Sequence, residues 1–218
     1  MKTTTILMLF VTFILYHEIA ATPGKKNDSV NVTVLYESYC PGCANLFVHQ
    51  IYKVWQELKN HMELDLVPYG NTNQVKRGGR IVFDCQHGPA ECHADLLHAC
   101  AIHQACGARG TRGCPKDKLQ KAVDYIKCVM EHPDQAAASD LCASQSRLQS
   151  VSINQCAKGS LGYQLKLNYA RRTMPWRARP DFPGTPCVII NDKFNMKDEY
   201  AALKNLRSVV CKYIPDKC

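Results

Sequence analysis

The sequence predicts an α/β fold carrying a cysteine-rich, mainly helical insertion, and three observations carry that prediction. A strand pattern over Val30–Tyr36 runs into Cys40-Pro41-Gly42-Cys43 at the head of an amphipathic helical stretch. A second strand pattern follows at 62–67. After a long helical middle, a short apolar strand at Cys187–Ile190 and a closing helix return the chain to the opening alternation.

Each element has a local reason. Val30, Val32, Val34 and Tyr36 fall on one face of an extended chain, the period-two pattern of a strand. From 44 to 58, Ala44, Phe47, Val48, Ile51, Val54, Trp55 and Leu58 form one apolar stripe at helical spacing. Leu64 and Leu66 alternate with polar neighbours, and Pro68 and Gly70 close that strand. The middle, about 85–170, is rich in cysteine; Leu119, Ala122, Val123, Ile126, Val129 and Met130 share one helical face within it. Asn191-Asp192-Lys193 reads as a turn, and 197–209 as a helix. Strand, CxxC at a helix start, helix, strand is the opening half of a thioredoxin-like βαβ unit, the context in which CxxC reads as redox-active. Inserted helices of this kind could cover such a site.

Length and composition fit one such domain. The chain has 218 residues and 46% hydrophobic residues, enough for a core that disulfides reinforce without replacing. Lys2, the apolar run from Ile6 to Tyr16 and the small pair Ala20-Ala21 predict a signal peptide over residues 1–21, leaving a single domain over 22–218. No later stretch is long and apolar enough to cross a membrane. Asn27-Asp28-Ser29 and Asn31-Val32-Thr33 are acceptor patterns for N-glycosylation at Asn27 and Asn31. Thirteen cysteines suit an oxidising compartment. Thirteen less the CxxC pair leaves eleven, so at most five internal bridges form and one sulfur is left over.

The net charge of +8 is spread over small clusters: Arg77 and Arg80, Arg109 and Arg112, then Arg171, Arg172, Arg177 and Arg179. Such clusters can contact anionic glycans or surfaces, although a solvated basic face is the plainer expectation. No aromatic platform is interleaved with them, which argues against nucleic acid.

The chemistry centres on Cys40. The thiolate is the attacking species in disulfide exchange, and the unpaired N–H groups at a helix start stabilise its charge. Pro41 suits the first helical position because its missing N–H has no helical partner there. Cys40 is therefore assigned as nucleophile and Cys43, one turn on, as the resolving thiol. No bound cofactor is expected, but an external thiol reductant must reset the pair. A static local bridge and a zinc site are the competing readings. Zinc would need a second pair of ligands, for which His87, Cys92, His93, His98 and Cys100 are candidates, and no metal is expected. Thr185-Pro186-Cys187 supplies the second element: Pro186 stands where a cis-proline would precede a late strand and let Thr185 pair with an extended substrate. An ordinary strand-edge proline is the alternative.

Cys85-Gln86-His87-Gly88-Pro89-Ala90-Glu91-Cys92, continuing to Cys100, closely resembles the C-Q-H-G-x-x-E-C-x-x-N-x-x-x-x-C signature of the gamma-interferon-inducible lysosomal thiol reductase family. Every fixed position matches except Asp95, where the family has Asn. Val67-Pro68-Tyr69-Gly70-Asn71, the upstream CxxC and the late cysteines are similar too, so the likeness covers roughly residues 30–218. The resemblance implies a thioredoxin-like reductase of protein disulfides, acting at acidic pH in endosomes or lysosomes, with Cys40 and Cys43 as its pair. Acid pH makes a depressed Cys40 pKa a requirement, since an ordinary thiol near 8.5 would be almost wholly protonated.

Two departures stand out. Asp95 brings a charge where an amide usually sits. Cys187 follows the presumed cis-proline where the family more often has an aromatic residue; it is one candidate for the unpaired sulfur, with a structural bridge equally open. Cys85, Cys92 and Cys100 read as structural, and Cys211 and Cys218 as a bridge to each other. His87 and Glu91 either tune the site or fix a turn. The sequence thus points to a disulfide reductase of the secretory pathway, lysosomal, endosomal or secreted, acting on disulfide-containing proteins. A non-catalytic secreted binding or immune factor on the same scaffold is the alternative, and the direction of the redox reaction and the oligomeric state stay open.

Overall fold

The computed structural model describes residues 28–218. The expected signal peptide and Asn27 lie outside the described residues. Among those described, no helix is long and apolar enough to cross a membrane.

The centre is a three-stranded sheet. Strand β1 (Val30–Tyr36) lies between β2 (Met62–Pro68), which pairs with it in parallel, and β5 (Cys187–Ile190), which pairs antiparallel. Flanked on both edges and covered on both faces, β1 buries every residue except Asn31. Thr33 and Leu35 are therefore as buried as the valines of the alternating face, as expected for a strand enclosed by helices.

Between β1 and β2 the chain forms α1 (Pro41–Leu46), a π-helical turn (Phe47–Ile51) and α2 (Tyr52–Leu58). The buried stripe is Cys43, Leu46, Phe47, Ile51, Val54, Trp55 and Leu58. Ala44 and Val48 sit at its rim, and the π turn that contains Val48 rotates the register of the residues that follow it. Gln50 in that turn is used by a distant helix, α8 (Met196–Tyr213), whose helical dihedrals break at Asn205. Gln50 Nε2 donates to Lys204 O at 2.9 Å, and Leu206 N donates to Gln50 Oε1 at 3.3 Å. The amide thus satisfies backbone groups that the break would otherwise orphan.

After β2 comes a hairpin that the sequence reading did not anticipate, β3 (Asn73–Arg77) and β4 (Arg80–Asp84). Its turn is Gly78-Gly79, both at positive φ, as a two-residue hairpin turn requires. The insertion then runs through α3 (Pro89–Cys106), α4 (Lys116–Met130), α5 (Gln135–Gln145), α6 (Ser150–Lys158) and α7 (Ser160–Arg177). Its helices reach Arg177, past the expected end near 170. Helices α3 and α7 pack on β2, and α8 packs on β5.

Part of the basic clusters is spent inside this architecture. Asp65 on β2 is 3% exposed and takes ion pairs from both Arg112 and Arg172, and its Oδ1 accepts from Thr111 Oγ1 at 3.1 Å. Arg177 donates to Thr72 O, and Arg179 pairs with Asp181. Arg112 and Arg172 fasten the insertion to the sheet, while Arg77, Arg80, Arg109 and Arg171 stay exposed.

Five disulfides form: Cys85–Cys92, Cys100–Cys156, Cys106–Cys114, Cys128–Cys142 and Cys211–Cys218. Cys40, Cys43 and Cys187 are free. The expected Cys211–Cys218 bridge is present, and Cys187 is the left-over sulfur. The chain-entropy relation makes the Cys100–Cys156 bridge the strongest tether, since its 56-residue separation is the longest. Replacing both cysteines with alanine is expected to cost about 4 kcal/mol, against about 2.5 kcal/mol for Cys106–Cys114. Thermal denaturation of the two double variants checks the ranking; equal losses would contradict it.

Candidate active site

Cys40 is the N-cap of α1, with extended dihedrals (φ −73°, ψ 117°), and Pro41 follows in the first turn. This places the sulfur over the free N–H groups of the helix start. Cys43 N donates to Cys40 Sγ at 3.3 Å. The Cys40 thiol is lowered to about 6, first by its hydrogen bond from the Cys43 thiol and then by the backbone N–H groups of Cys43 and Gly42, with a smaller contribution from His87; partial burial opposes the shift. Cys43 behaves oppositely: burial, then the neighbouring Cys40, push its thiol far above the ordinary range. Two cysteines three residues apart thus divide into one easily ionised sulfur and one that stays protonated. Cys40 is 7% exposed and Cys43 2%, so solvent reaches the first more readily.

The Thr185–Pro186 peptide bond is cis, as the sequence pattern suggested. Cys40 Sγ lies 3.8 Å from Thr185 O. A Cβ added at Gly42 would sit 3.4 Å from Pro186 Cδ and 3.9 Å from Cys40 Sγ, so the proline ring packs directly over the CxxC turn.

Glu37, which the sequence reading passed over, stands behind this pair. It is fully buried; Oε1 accepts from Asn71 N at 2.6 Å and Oε2 from Thr185 Oγ1 at 3.1 Å. Its backbone N–H points at Cys43 Sγ, 3.5 Å away. Burial, then the charge of Glu91, raise its carboxyl to about 7. Gly70 is at positive φ, and a Cβ there would collide with the Glu37 side chain, so glycine is required on both counts. Asn71 Nδ2 ties Thr185 Oγ1 (2.8 Å) to Gln86 Oε1 (2.7 Å), which links the cis-proline loop to the insertion.

The insertion also grips the loop before the CxxC. Ser38 N donates to Asp95 Oδ1 at 2.9 Å, Ser38 Oγ to Glu91 O at 3.2 Å, and Gln135 Nε2 to Ser38 O. Asp95 is completely buried and paired at 3.0 Å with Lys166, itself 1% exposed. The ammonium also lies 3.3 Å from Cys85 Sγ and 3.4 Å from Cys92 O. The extra charge at Asp95 is therefore matched by a lysine from α7. A buried pair of this kind costs several kcal/mol if one partner alone is removed. Of the candidate second ligands for zinc, Cys92 and Cys100 are in disulfides and His98 is sealed in the core, which leaves His87 and His93. Cys187 is 0% exposed, and burial and then Glu199 raise its thiol well above the usual range. Asn31, in β1, donates its N–H to Asn191 Oδ1 at 2.9 Å and is only partly buried.

The family model for "Gamma interferon inducible lysosomal thiol reductase (GILT)" matches residues 31–146, more than half of the chain. The chain belongs to this family. Among GILT relatives, GILT-like protein 1 of Drosophila melanogaster is 30% identical over 191 residues, covering 85% of this chain and 75% of the relative. The gamma-interferon-inducible lysosomal thiol reductase-like protein of Anopheles gambiae is 30% identical over 209 residues, covering 94% and 85%. The Mus musculus gamma-interferon-inducible lysosomal thiol reductase is 30% identical over 205 residues, covering 90% and 74%. Among solved structures, a putative protein disulfide isomerase from Nitrosomonas europaea superposes with a TM-score of 0.53 at 10% identity, covering 86% of this chain and 98% of that one. The oxidoreductase DsbA from Xylella fastidiosa gives 0.50 at 13% identity, covering 88% and 89%. The fold of this GILT-family chain is thus thioredoxin-like, with a helical insertion, and it is a thiol–disulfide oxidoreductase.

Proposed function

We propose that the chain reduces disulfide bonds of protein substrates through Cys40 and Cys43, in an acidic endosomal or lysosomal compartment or in a secreted setting. The observation that carries this reading is the asymmetry of the pair: an N-cap sulfur with a thiol lowered to about 6 beside a buried partner held protonated. Cys40 thiolate attacks one sulfur of the substrate disulfide. A mixed disulfide forms, and the other substrate sulfur leaves as a thiolate. Cys43 then gives its proton to that thiolate and attacks Cys40 Sγ, which releases the second substrate sulfur. Two electrons pass to the substrate and the pair ends as a disulfide, which an external thiol reductant must reopen. Thr185 and Pro186 frame the approach. With the carbonyl of Thr185 on the Cys40 side, an extended substrate segment can align along the cis-proline loop.

The lowered thiol matters most in acid. At pH 4.5 a thiol near 6 holds about 300-fold more thiolate than one near 8.5. Because the thiolate is the reactive form, alkylation of Cys40 by iodoacetamide should rise with pH and reach half its plateau at about pH 6. A midpoint above 8 would remove the basis for acid activity. Turnover of a model protein disulfide at pH 4.5 and pH 7, supplied with a small thiol, tests the activity itself; a folded protein inactive at both would reject the reading.

A further inference from the structure

Glu37 and Glu91 are both 0% exposed, yet they belong to different parts of the fold. Glu37 precedes α1; Glu91 lies in the first turn of α3, in the insertion. Each can offer an oxygen, and His87 a ring nitrogen, that all lie within 4.8 Å of one another. His87 belongs to the loop closed by the Cys85–Cys92 bridge, and its side chain is 33% exposed while Glu91 is sealed. Its Nδ1 is 2.6 Å from Glu91 Oε2, and its backbone N–H donates to Glu91 Oε1 at 3.0 Å.

Two sealed carboxylates this close repel each other unless something positive lies between them. Lys166, the buried lysine among the described residues, is already committed to Asp95. Within the cluster only a proton or the imidazolium supplies positive charge, and each carboxylate oxygen keeps a lone pair beyond the single hydrogen bond recorded for it. Among the described residues the other such cluster is Cys128, His132 and Cys142, but its two sulfurs form a disulfide and are not free to ligate.

The geometry points to a divalent-cation site of the zinc class formed by Glu37, His87 and Glu91. One imidazole and two carboxylates is a donor set that zinc accepts, with metal–ligand distances of about 2.0–2.2 Å and a fourth position open to water. Closing the ligands around a metal requires roughly 3.4 Å between neighbouring donors in a tetrahedron. The donors lie within 4.8 Å of one another, so the set has to contract by at most about 1.4 Å, and the exposed imidazole is free to turn toward the carboxylates. The cation takes the place of the proton in the His87–Glu91 contact. It also ties the insertion loop to the loop before the CxxC, so the site is a reversible clamp between the two parts of the fold.

This inference is independent of the redox reading, and its test avoids turnover altogether. The full chain carrying Cys40→Ser and Cys43→Ser is titrated with zinc chloride at pH 7 by calorimetry, which removes the accessible thiols as ligands. One zinc per chain is expected. Adding His87→Ala should weaken binding at least tenfold, and His132→Ala should leave it unchanged. Glu91→Gln should weaken it likewise, and since His87 is exposed, its variant decides the matter even where the buried substitution impairs folding. Absence of saturable binding up to about millimolar zinc, or binding that His87→Ala leaves intact, overturns the proposal. Loss of the site would not touch the reductase assignment, and loss of reductase activity would not touch the site.

Discussion

Cys40→Ser is expected to lower disulfide reduction at least about a thousandfold while leaving the fold intact, because it deletes the attacking sulfur and nothing structural depends on it. Cys40 is in no disulfide, and its sulfur is held by groups of the CxxC turn itself and by a contact to Thr185 O. Cys43→Ser should have a different signature. The first attack proceeds, but the mixed disulfide has no resolving thiol, so a covalent enzyme–substrate species accumulates and reverts on adding a strong reductant. Non-reducing electrophoresis after mixing with a disulfide-containing protein checks both. The scheme fails if Cys43→Ser gives no adduct, or if Cys40→Ser forms one equally well. Cys187 offers no bypass: it is sealed in the core and its thiol is pushed toward the protonated form.

Glu199→Gln is expected to flatten the pH dependence of stability. Glu199 sits in the first turn of α8, 2% exposed, with Oε2 accepting Val188 N at 2.5 Å and Oε1 unpartnered. Burial raises its carboxyl to about 7 against an ordinary 4.5, partly opposed by the Val188 hydrogen bond. The folded chain therefore binds this proton more tightly than the unfolded chain does. The stabilisation is fully present below pH 4.5 and is lost as pH rises through about 7. Its ceiling is roughly 3 kcal/mol, or about 6–12 °C in melting midpoint for a chain of this size. Wild type should gain stability between pH 7.5 and 4.5 relative to Glu199→Gln, and the variant should be the more stable of the two at pH 7.5. Parallel melting curves for the two proteins across that range would show that Glu199 carries no such linkage.

Much of the site was legible because its signals are local. The CxxC at a helix start, the Thr185-Pro186 step before an apolar strand and the short Cys211–Cys218 loop each declare themselves within a few residues. The hairpin over β3 and β4 was missed, although Gly78-Gly79 marks its turn, because β3 is exposed along its whole length and only alternate residues of β4 are part-buried. Glu37 was not readable. A glutamate between Tyr36 and Ser38 looks like any loop carboxylate until Asn71, Thr185 and Glu91 arrive from separate elements. The π turn was also hidden, because Ala44 and Val48 extend an apolar stripe that fits an uninterrupted helix. The fate of the arginines was equally beyond the sequence, since Asp65 recruits Arg112 and Arg172 from points 47 and 107 residues away.

The pairing of β1 with β5 joins Thr33 to Ile189, whereas the bridges within the insertion span 56, 14, 8 and 7 residues. A chain made from its N-terminus exposes Cys40 and Cys43 before any of the other eleven cysteines. The proline that roofs them arrives only near residue 186. Short loops close at less entropic cost than long ones, so the insertion can oxidise and settle while the central sheet still lacks its third strand. During biosynthesis the first two sulfurs to be made are therefore also the longest without shelter. Ribosomes stalled before Pro186 should hold nascent chains whose Cys40 is captured as a mixed disulfide by any disulfide within reach, the other sulfur of that disulfide leaving as a thiolate.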